Sequence, residues 1–223
     1  QIERLDSDRT NGSHKKINLI LERFHASEIK ILIGTQMIAK GLDFPGVALV
    51  GVIDCDSSLS IPDFRANERS YQLISQVTGR CGRGNRPAHA ILQTINPDQK
   101  TIQYAAKQDY LSFVNDELKS RKESELPPFN RMARILIRDK NLNKARLRAS
   151  KIAFEARQIG NSLEIIGPGP CILERIADFF REEIEIFAPN GHVLQEALSY
   201  LRSNGTLKLG DTLSIDVDPI SLL

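Results

Sequence analysis

At 223 residues, with 41% hydrophobic and 26% charged residues, the sequence has room for one large or two small globular domains. A net charge of +2 excludes binding of nucleic acid by bulk charge, so any such site must come from local clustering. No apolar run approaches the roughly 20 residues of a membrane-spanning helix, and Cys55, Cys81 and Cys171 are too scattered for a CxxC zinc pair or a disulfide framework.

That cysteine usage, with no signal-peptide pattern at the start, fits a reducing, cytoplasmic setting. The chain opens on Gln1 and enters an apolar segment at once, which suggests a piece of a longer protein.

Ile2 to Leu5 reads as a short strand. Asn11-Gly12-Ser13 is a turn in which Ser13 can cap a helix, and Ile17, Ile20, Leu21 and Phe24 recur at helical spacing to about Ala26. Ile29 to Ile33 is a β-branched strand that stops at Gly34-Thr35-Gln36. A helical turn over Met37 to Lys40 meets Gly41, and Leu42-Asp43-Phe44-Pro45 follows. Val47 to Ile53 is apolar apart from glycine, as in a strand covered on both faces, and ends at Asp54-Cys55-Asp56. A helix from Arg65 carries Tyr71, Ile74 and Val77 inward and reaches Gly79, and Ala88 to Thr94 is a further strand. This alternation predicts an α/β fold with a parallel sheet. Ligands of such sheets sit beyond the carboxyl ends of the strands, where Gly34-Thr35-Gln36 and Asp54-Cys55-Asp56 fall.

Asp98 to Glu125 reads as helical, with Leu111, Val114 and Leu118 on one face, and Leu126-Pro127-Pro128-Phe129 ends it. Met132 to Ile137 is then a strand, Leu142 to Ile159 an amphipathic helix, and Leu163 to Ile166 a strand closed by Gly167-Pro168-Gly169-Pro170. Glu183 to Phe187 alternates as a strand, Gly191 leads into a helix through Leu201, and Leu213 to Val217 is the last strand. The order β-α-β-β-α-β predicts an α+β, ferredoxin-like unit. The expected organisation is therefore residues 1–98, a helical connector 99–128, and a C-terminal domain 129–223.

Two stretches carry the chemistry. In Gln76-Val77-Thr78-Gly79-Arg80-Cys81-Gly82-Arg83-Gly84, each arginine follows a glycine. Glycine lets backbone approach a ligand closely, and arginine forks onto phosphate oxygens through parallel N–H groups. The stretch is either a reach towards a polyphosphate or a basic turn with solvated arginines. In Gly34-Thr35-Gln36-Met37-Ile38-Ala39-Lys40-Gly41-Leu42-Asp43-Phe44-Pro45, an exposed hydroxyl and N–H groups at a strand end can hold a nucleic-acid phosphate. Asp43 there either accepts from a ribose hydroxyl, orients an arginine or caps a loop.

Together these stretches resemble motifs V and VI of the second RecA-like lobe of superfamily 2 helicases. The wording GTQM-x-AKG-x-DFP, Asp63-Phe64-Arg65-Ala66-x-Glu68-Arg69, QVTGRCGR, Leu126-Pro127-Pro128-Phe129, Gly167-Pro168-Gly169-Pro170 and Asp216-Val217-Asp218-Pro219 is similar, in order and over nearly the whole chain, to the family of bacterial primosomal protein N′, the replication-restart helicase PriA. The resemblance implies part of an ATP-dependent DNA translocase that unwinds stalled forks and restarts replication by primosome assembly. It implies that Arg83, with Arg80 close behind, is the arginine finger, and that Gln76 positions nucleotide or water. Gly41, Asp43 and Gly79 would belong to the ATP site. Thr35, Gln36 and Lys40 would grip the DNA backbone. It implies ATP with magnesium, bound mainly by a first lobe whose Walker loop is absent from this sequence, and zinc bound upstream of Gln1. This chain alone is therefore expected to hydrolyse no ATP. Implied partners are forked or single-stranded DNA, other primosome proteins and single-stranded DNA-binding protein, with no membrane, in a bacterial, nucleoid-associated setting. The competing expectation is a non-catalytic DNA- and partner-binding module that kept the helicase fold.

The C-terminal domain of that family is associated with DNA. Here Arg131, Arg134, Arg138, Lys140, Lys144, Arg146, Arg148, Lys151 and Arg157 face only Asp139 and Glu155 over their span. Arg134, Lys144 and Arg148 are the expected DNA contacts, against the alternative of a solvated helix face. Where many relatives carry arginines and aromatics, Ile176 to Glu183 is acidic, which shifts that stretch towards a partner protein. His14, His25, His89 and His192 form no ligand pair, Asp6, Asp8, Asp54 and Asp56 stand at turns that favour aspartate without a metal, and no metal site is expected.

Overall fold

The computed structural model describes residues 1–6, 13–35, 46–79, 88–208, 210 and 212–222. Contacts divide the chain into two compact units, Gln1–Ile61 with Arg65–Asn115, and Pro62–Phe64 with Asp116–Leu223. The division falls within a helix, and the loop Pro62–Phe64 belongs to the C-terminal unit.

The first unit contains β1 (Ile2–Leu5), α1 (His14–His25), β2 (Ile31–Gly34), β3 (Leu49–Val52), α2 (Ala66–Thr78), β4 (His89–Leu92) and α3 (Lys100–Lys107). Among the described residues β1 pairs with β2 and β3 with β4, both parallel, in registers Ile2↔Ile31 and Leu49↔His89. The pairing is parallel, as the alternating pattern predicts, but the described strands form two two-stranded sheets rather than one. The core joins Cys55, Tyr71, Ile74, Ile102, Ala105 and Phe113, with the Tyr71 and Phe113 rings stacked at 4.3 Å. Helix α2 turns Ala66, Ser70, Tyr71, Ile74 and Thr78 inward. Val77, expected inside, is only half-buried. The polar positions are tolerated because their hydroxyls bond the preceding turn, Ser70 to Ala66 O and Thr78 to Ile74 O.

The expected single helix over 98–125 is two. Gln108 adopts the left-handed region at φ 54° and ends α3, and Asp109 then accepts from Ser112 N at 3.1 Å to start α4 (Tyr110–Glu123). The break rotates the later face. Phe113 is buried while Leu111, expected on one apolar face with Val114 and Leu118, is 74% exposed.

The second unit contains β5 (Arg131–Asp139), α5 (Leu142–Arg157), β6 (Glu164–Ile176), β7 (Phe179–Ala188), α6 (Gly191–Ser203) and β8 (Leu213–Val217). The strands form an antiparallel sheet in the order β6-β7-β5-β8. Asn141 and Asn190 cap α5 and α6 by accepting from Lys144 N and Val193 N. Alternate residues of the sheet (Ala133, Ile135 and Ile137; Ile184, Ile186 and Ala188) pack against Ala149, Ile152, Ala153 and Ala156 of α5 and Leu194, Leu198 and Leu201 of α6. Residues of the other parity include Met132 and Phe187, which meet Phe64, Leu126 and Leu222.

Strand β6 runs ten residues past the expected end at Ile166. It lies at the sheet edge, where prolines without an N–H are tolerated, and register shifts flank the Gly-Pro-Gly-Pro run. Gly167 has φ 89°, and a Cβ there would lie 2.8 Å from the Glu183 carbonyl oxygen. The hairpin closes on Ala177 and Asp178, both left-handed, which matches a primed turn.

Candidate functional site

Helix α2 carries Gln76, Val77 and Thr78, and Gly79 follows it. Its buried stripe turns one face inward, which leaves Gln76 exposed on the other. At the end, Gly79 N bonds Ser75 O at 2.9 Å, and a Cβ on Gly79 would approach that oxygen to 3.0 Å. Gly79 thus lets the last turn close tightly before the chain passes on. Arg80 and Arg83 lie outside the described residues, as do Gln36, Lys40, Gly41 and Asp43. Thr35 is exposed immediately after the carboxyl end of β2.

The second strand-end cluster is a clamp. Asp56 accepts from Thr94 Oγ1 at 2.8 Å and from Ile95 N at 2.9 Å, tying the segment after β3 to the segment after β4. Cys55 N bonds Gln93 O, and burial first, then Asp56 and Asp54, pushes the Cys55 thiol pKa up. Both Asp56 oxygens are engaged by the fold. Among the described residues no group of histidine, cysteine, aspartate or glutamate could hold a metal ion.

In the second unit the structure redistributes the expected basic face. Arg134 is 6% exposed, inside the sheet rather than on a phosphate-binding surface, and pairs with Glu183 through Nε at 2.7 Å and Nη2 at 2.5 Å. Arg148 spans from α5 to the segment before β8, donating to Thr212 Oγ1 at 2.9 Å and Lys208 O at 3.0 Å. Arg131 pairs with Asp218, Arg146 with Glu182, and Arg157 donates to Gly167 O. Lys144 stays on the exposed side of α5. The sequence count found few acids nearby because the partners come from β7 and the end of β8, far along the chain. Glu185 sits beside Glu183 on the same face, and burial first, then the Glu183 charge, raises its pKa.

Sequence reasoning did not single out Arg121. It is 8% exposed, paired with Glu117, and lies over the Phe64 ring at 5.3 Å. The i,i+4 Glu117–Arg121 spacing was the available signal. Asp63, quoted only as part of a motif, is 8% exposed and accepts from Leu222 N at 3.2 Å.

Comparison with known proteins follows this geometry. The family model described as helicase conserved C-terminal domain matches residues 1–85, and that described as primosomal protein N C-terminal domain matches residues 122–220. Curated relatives include proteins named replication restart protein PriA. The one from Bacillus subtilis is 41% identical over 83% of this chain and 23% of its own length. Those from Treponema pallidum and Borreliella burgdorferi are 36% and 34% identical over 100% of this chain and 34% of theirs. The chain thus spans about a quarter to a third of the length of these relatives.

Proposed function

The chain belongs to the PriA family of replication restart proteins, and on that premise we propose that it supplies the second RecA-like lobe and terminal domain of an ATP-dependent DNA helicase that restarts stalled replication by primosome assembly. The observation that carries this reading is the succession of a helicase C-terminal and a primosomal C-terminal domain along one chain, with relatives aligned over all of it. In the second unit, the order β-α-β-β-α-β with sheet order β6-β7-β5-β8 supports a ferredoxin-like arrangement.

The chemistry follows from what α2 presents. ATP is a substrate held mainly by another part of the protein. Arg83, with Arg80, reaches its γ-phosphate from this lobe and stabilises charge that develops in the transition state, an effect typically worth about 10³–10⁵ in rate. Gln76, exposed on α2, orients the nucleotide or the attacking water. Gly79 closes the helix that precedes the two arginines in sequence, and Gly41 and Asp43 couple nucleotide state to lobe movement. Magnesium is assigned to the part of the protein that cradles ATP, and both Asp56 oxygens here serve the fold by accepting from Thr94 and Ile95. Thr35, Gln36 and Lys40 hold backbone phosphates, a sequence-independent grip that suits a translocase. Arg134 and Arg148 serve the fold of the terminal unit. The partners are forked or single-stranded DNA, other primosome proteins and single-stranded DNA-binding protein, in a bacterial cytoplasm.

A lobe that supplies the finger without the phosphate cradle turns over no ATP alone. DNA-stimulated ATP hydrolysis, measured for this chain and for a full-length protein that contains it, tests the reading. Hydrolysis only by the full-length protein is expected. DNA-stimulated turnover by the isolated chain overturns it.

A further inference from the structure

Helix α5 has a second patterned face that its own unit does not use. Its packed side is made of Ala145, Ala149, Ile152, Ala153 and Ala156. On the opposite side Leu147 is 74% and Phe154 62% exposed, two large apolar groups on a helix that is otherwise well buried along one stripe. They stand seven residues apart, two turns or about 10 Å along the axis. Lys144 and Lys151 repeat the same seven-residue step beside them, and Asn143 and Ser150 repeat it on the other flank; all four are exposed.

The period of seven is the spacing of a helix-pairing seam. With Leu147 and Phe154 at the a positions, Asn143 and Ser150 fall at d, and Lys144 and Lys151 at e. Large knobs thus alternate with small polar positions, which leave room for a partner's side chains. The e positions, which set partner choice by charge, are both lysine. Neither lysine forms an ion pair with a described residue. The arginines of this helix do not share that freedom, since Arg146, Arg148 and Arg157 are drawn to Glu182, to Thr212 and Lys208, and to Gly167.

We propose that the exposed face of α5, centred on Leu147 and Phe154 and flanked by Lys144 and Lys151, docks an acidic amphipathic helix of a partner protein. Charge complementarity selects the occupant. A second copy of this face would bring lysine against lysine. A nucleic-acid strand would leave Leu147 with no use, because the centre line of the stripe is apolar and the arginines that would fork onto phosphates are engaged elsewhere. A helix with apolar a and d positions and glutamate at e and g satisfies both rows, by covering the knobs and pairing the lysines. The inference is independent of the motor reading, since no residue of the first unit enters it.

The test uses the full-length protein and a short fluorescent helical peptide with leucine at a and d and glutamate at e and g, read by fluorescence anisotropy. Saturable binding is expected, weakened at least tenfold by Leu147→Asp with Phe154→Asp. Lys144→Glu with Lys151→Glu is expected to abolish that binding and create binding to the matching peptide with lysine at e and g. These positions are exposed, so an unchanged urea midpoint shows that each variant is folded. No saturable binding, or binding indifferent to all four substitutions, overturns the proposal. So does loss of single-stranded DNA binding in Phe154→Ala with peptide binding intact, which makes the face a nucleic-acid surface. Concentration-dependent dimerisation abolished by Leu147→Asp overturns it in favour of self-association.

Discussion

Asp63 accepts a hydrogen bond from the backbone N–H of Leu222 at 3.2 Å, so a loop that precedes α2 in sequence fastens the far C-terminal end of the chain. The same loop places Phe64 under the Arg121 guanidinium and against Met132 and Phe187. The first two residues of a motif that continues into α2 therefore belong to the C-terminal unit. Asp63→Ala leaves a buried N–H without this acceptor, which costs about 1–3 kcal/mol. Urea unfolding is expected to show that loss, with faster proteolysis after Asp218. Unchanged stability would remove Asp63 from this role.

Arg134 on β5 stands opposite Glu185 of β7 and pairs diagonally with Glu183, with little solvent access. Arg134→Ala strands the Glu183 and Glu185 carboxylates in the sheet. Breaking a buried pair from one side costs about 3–5 kcal/mol. The expected outcome is a large fall in the unfolding midpoint. Loss of DNA affinity with stability intact would instead make Arg134 a ligand contact.

Glu185 gives a pH signature. Its carboxyl pKa is raised by burial and by Glu183. The folded chain holds this proton more tightly than the unfolded chain, so the penalty is complete above the raised value and fades as pH falls towards the ordinary glutamate range. Glu185→Gln is expected to be more stable than the parent at neutral pH, with the advantage vanishing below about pH 4. Urea midpoints across pH measure it. A difference that grows towards acid would reverse the sign of the argument.

Much of the fold was legible because periodicity and caps carry it. Short apolar runs gave the strands of the first unit, and Ser13 marked the start of α1, where it stands at the cap without a side-chain cap bond. Three features were not legible, for physical reasons. Gln108 breaks a helix by adopting a left-handed conformation that its side chain does not announce. Pro168 and Pro170 argue against a strand unless that strand is known to be an edge. The basic cluster looked available because its acidic partners, Glu182, Glu183 and Asp218, are distant in sequence. Of the candidate motor residues, Thr35, Gln76 and Gly79 lie among the described residues, the first two exposed and Gly79 at a helix end.

Cys171 is buried, and its thiol pKa is pushed up to about 11 by burial first and the Glu183 charge second. At pH 8 only roughly one thiol in a thousand is then thiolate, the reactive form. Iodoacetamide labelling read by peptide mass spectrometry is expected to be at least tenfold slower at Cys171 in the folded chain than in urea. Equal rates would show an open, reactive cysteine.

The proposed function rests on Arg83 acting as an arginine finger on a nucleotide held elsewhere in the protein. Arg83→Ala in the full-length protein tests it most directly, with DNA unwinding and fork binding measured side by side. Unwinding is expected to fall by about 10³-fold or more with fork binding nearly unchanged. Equal loss of fork binding would place Arg83 on DNA and contradict it.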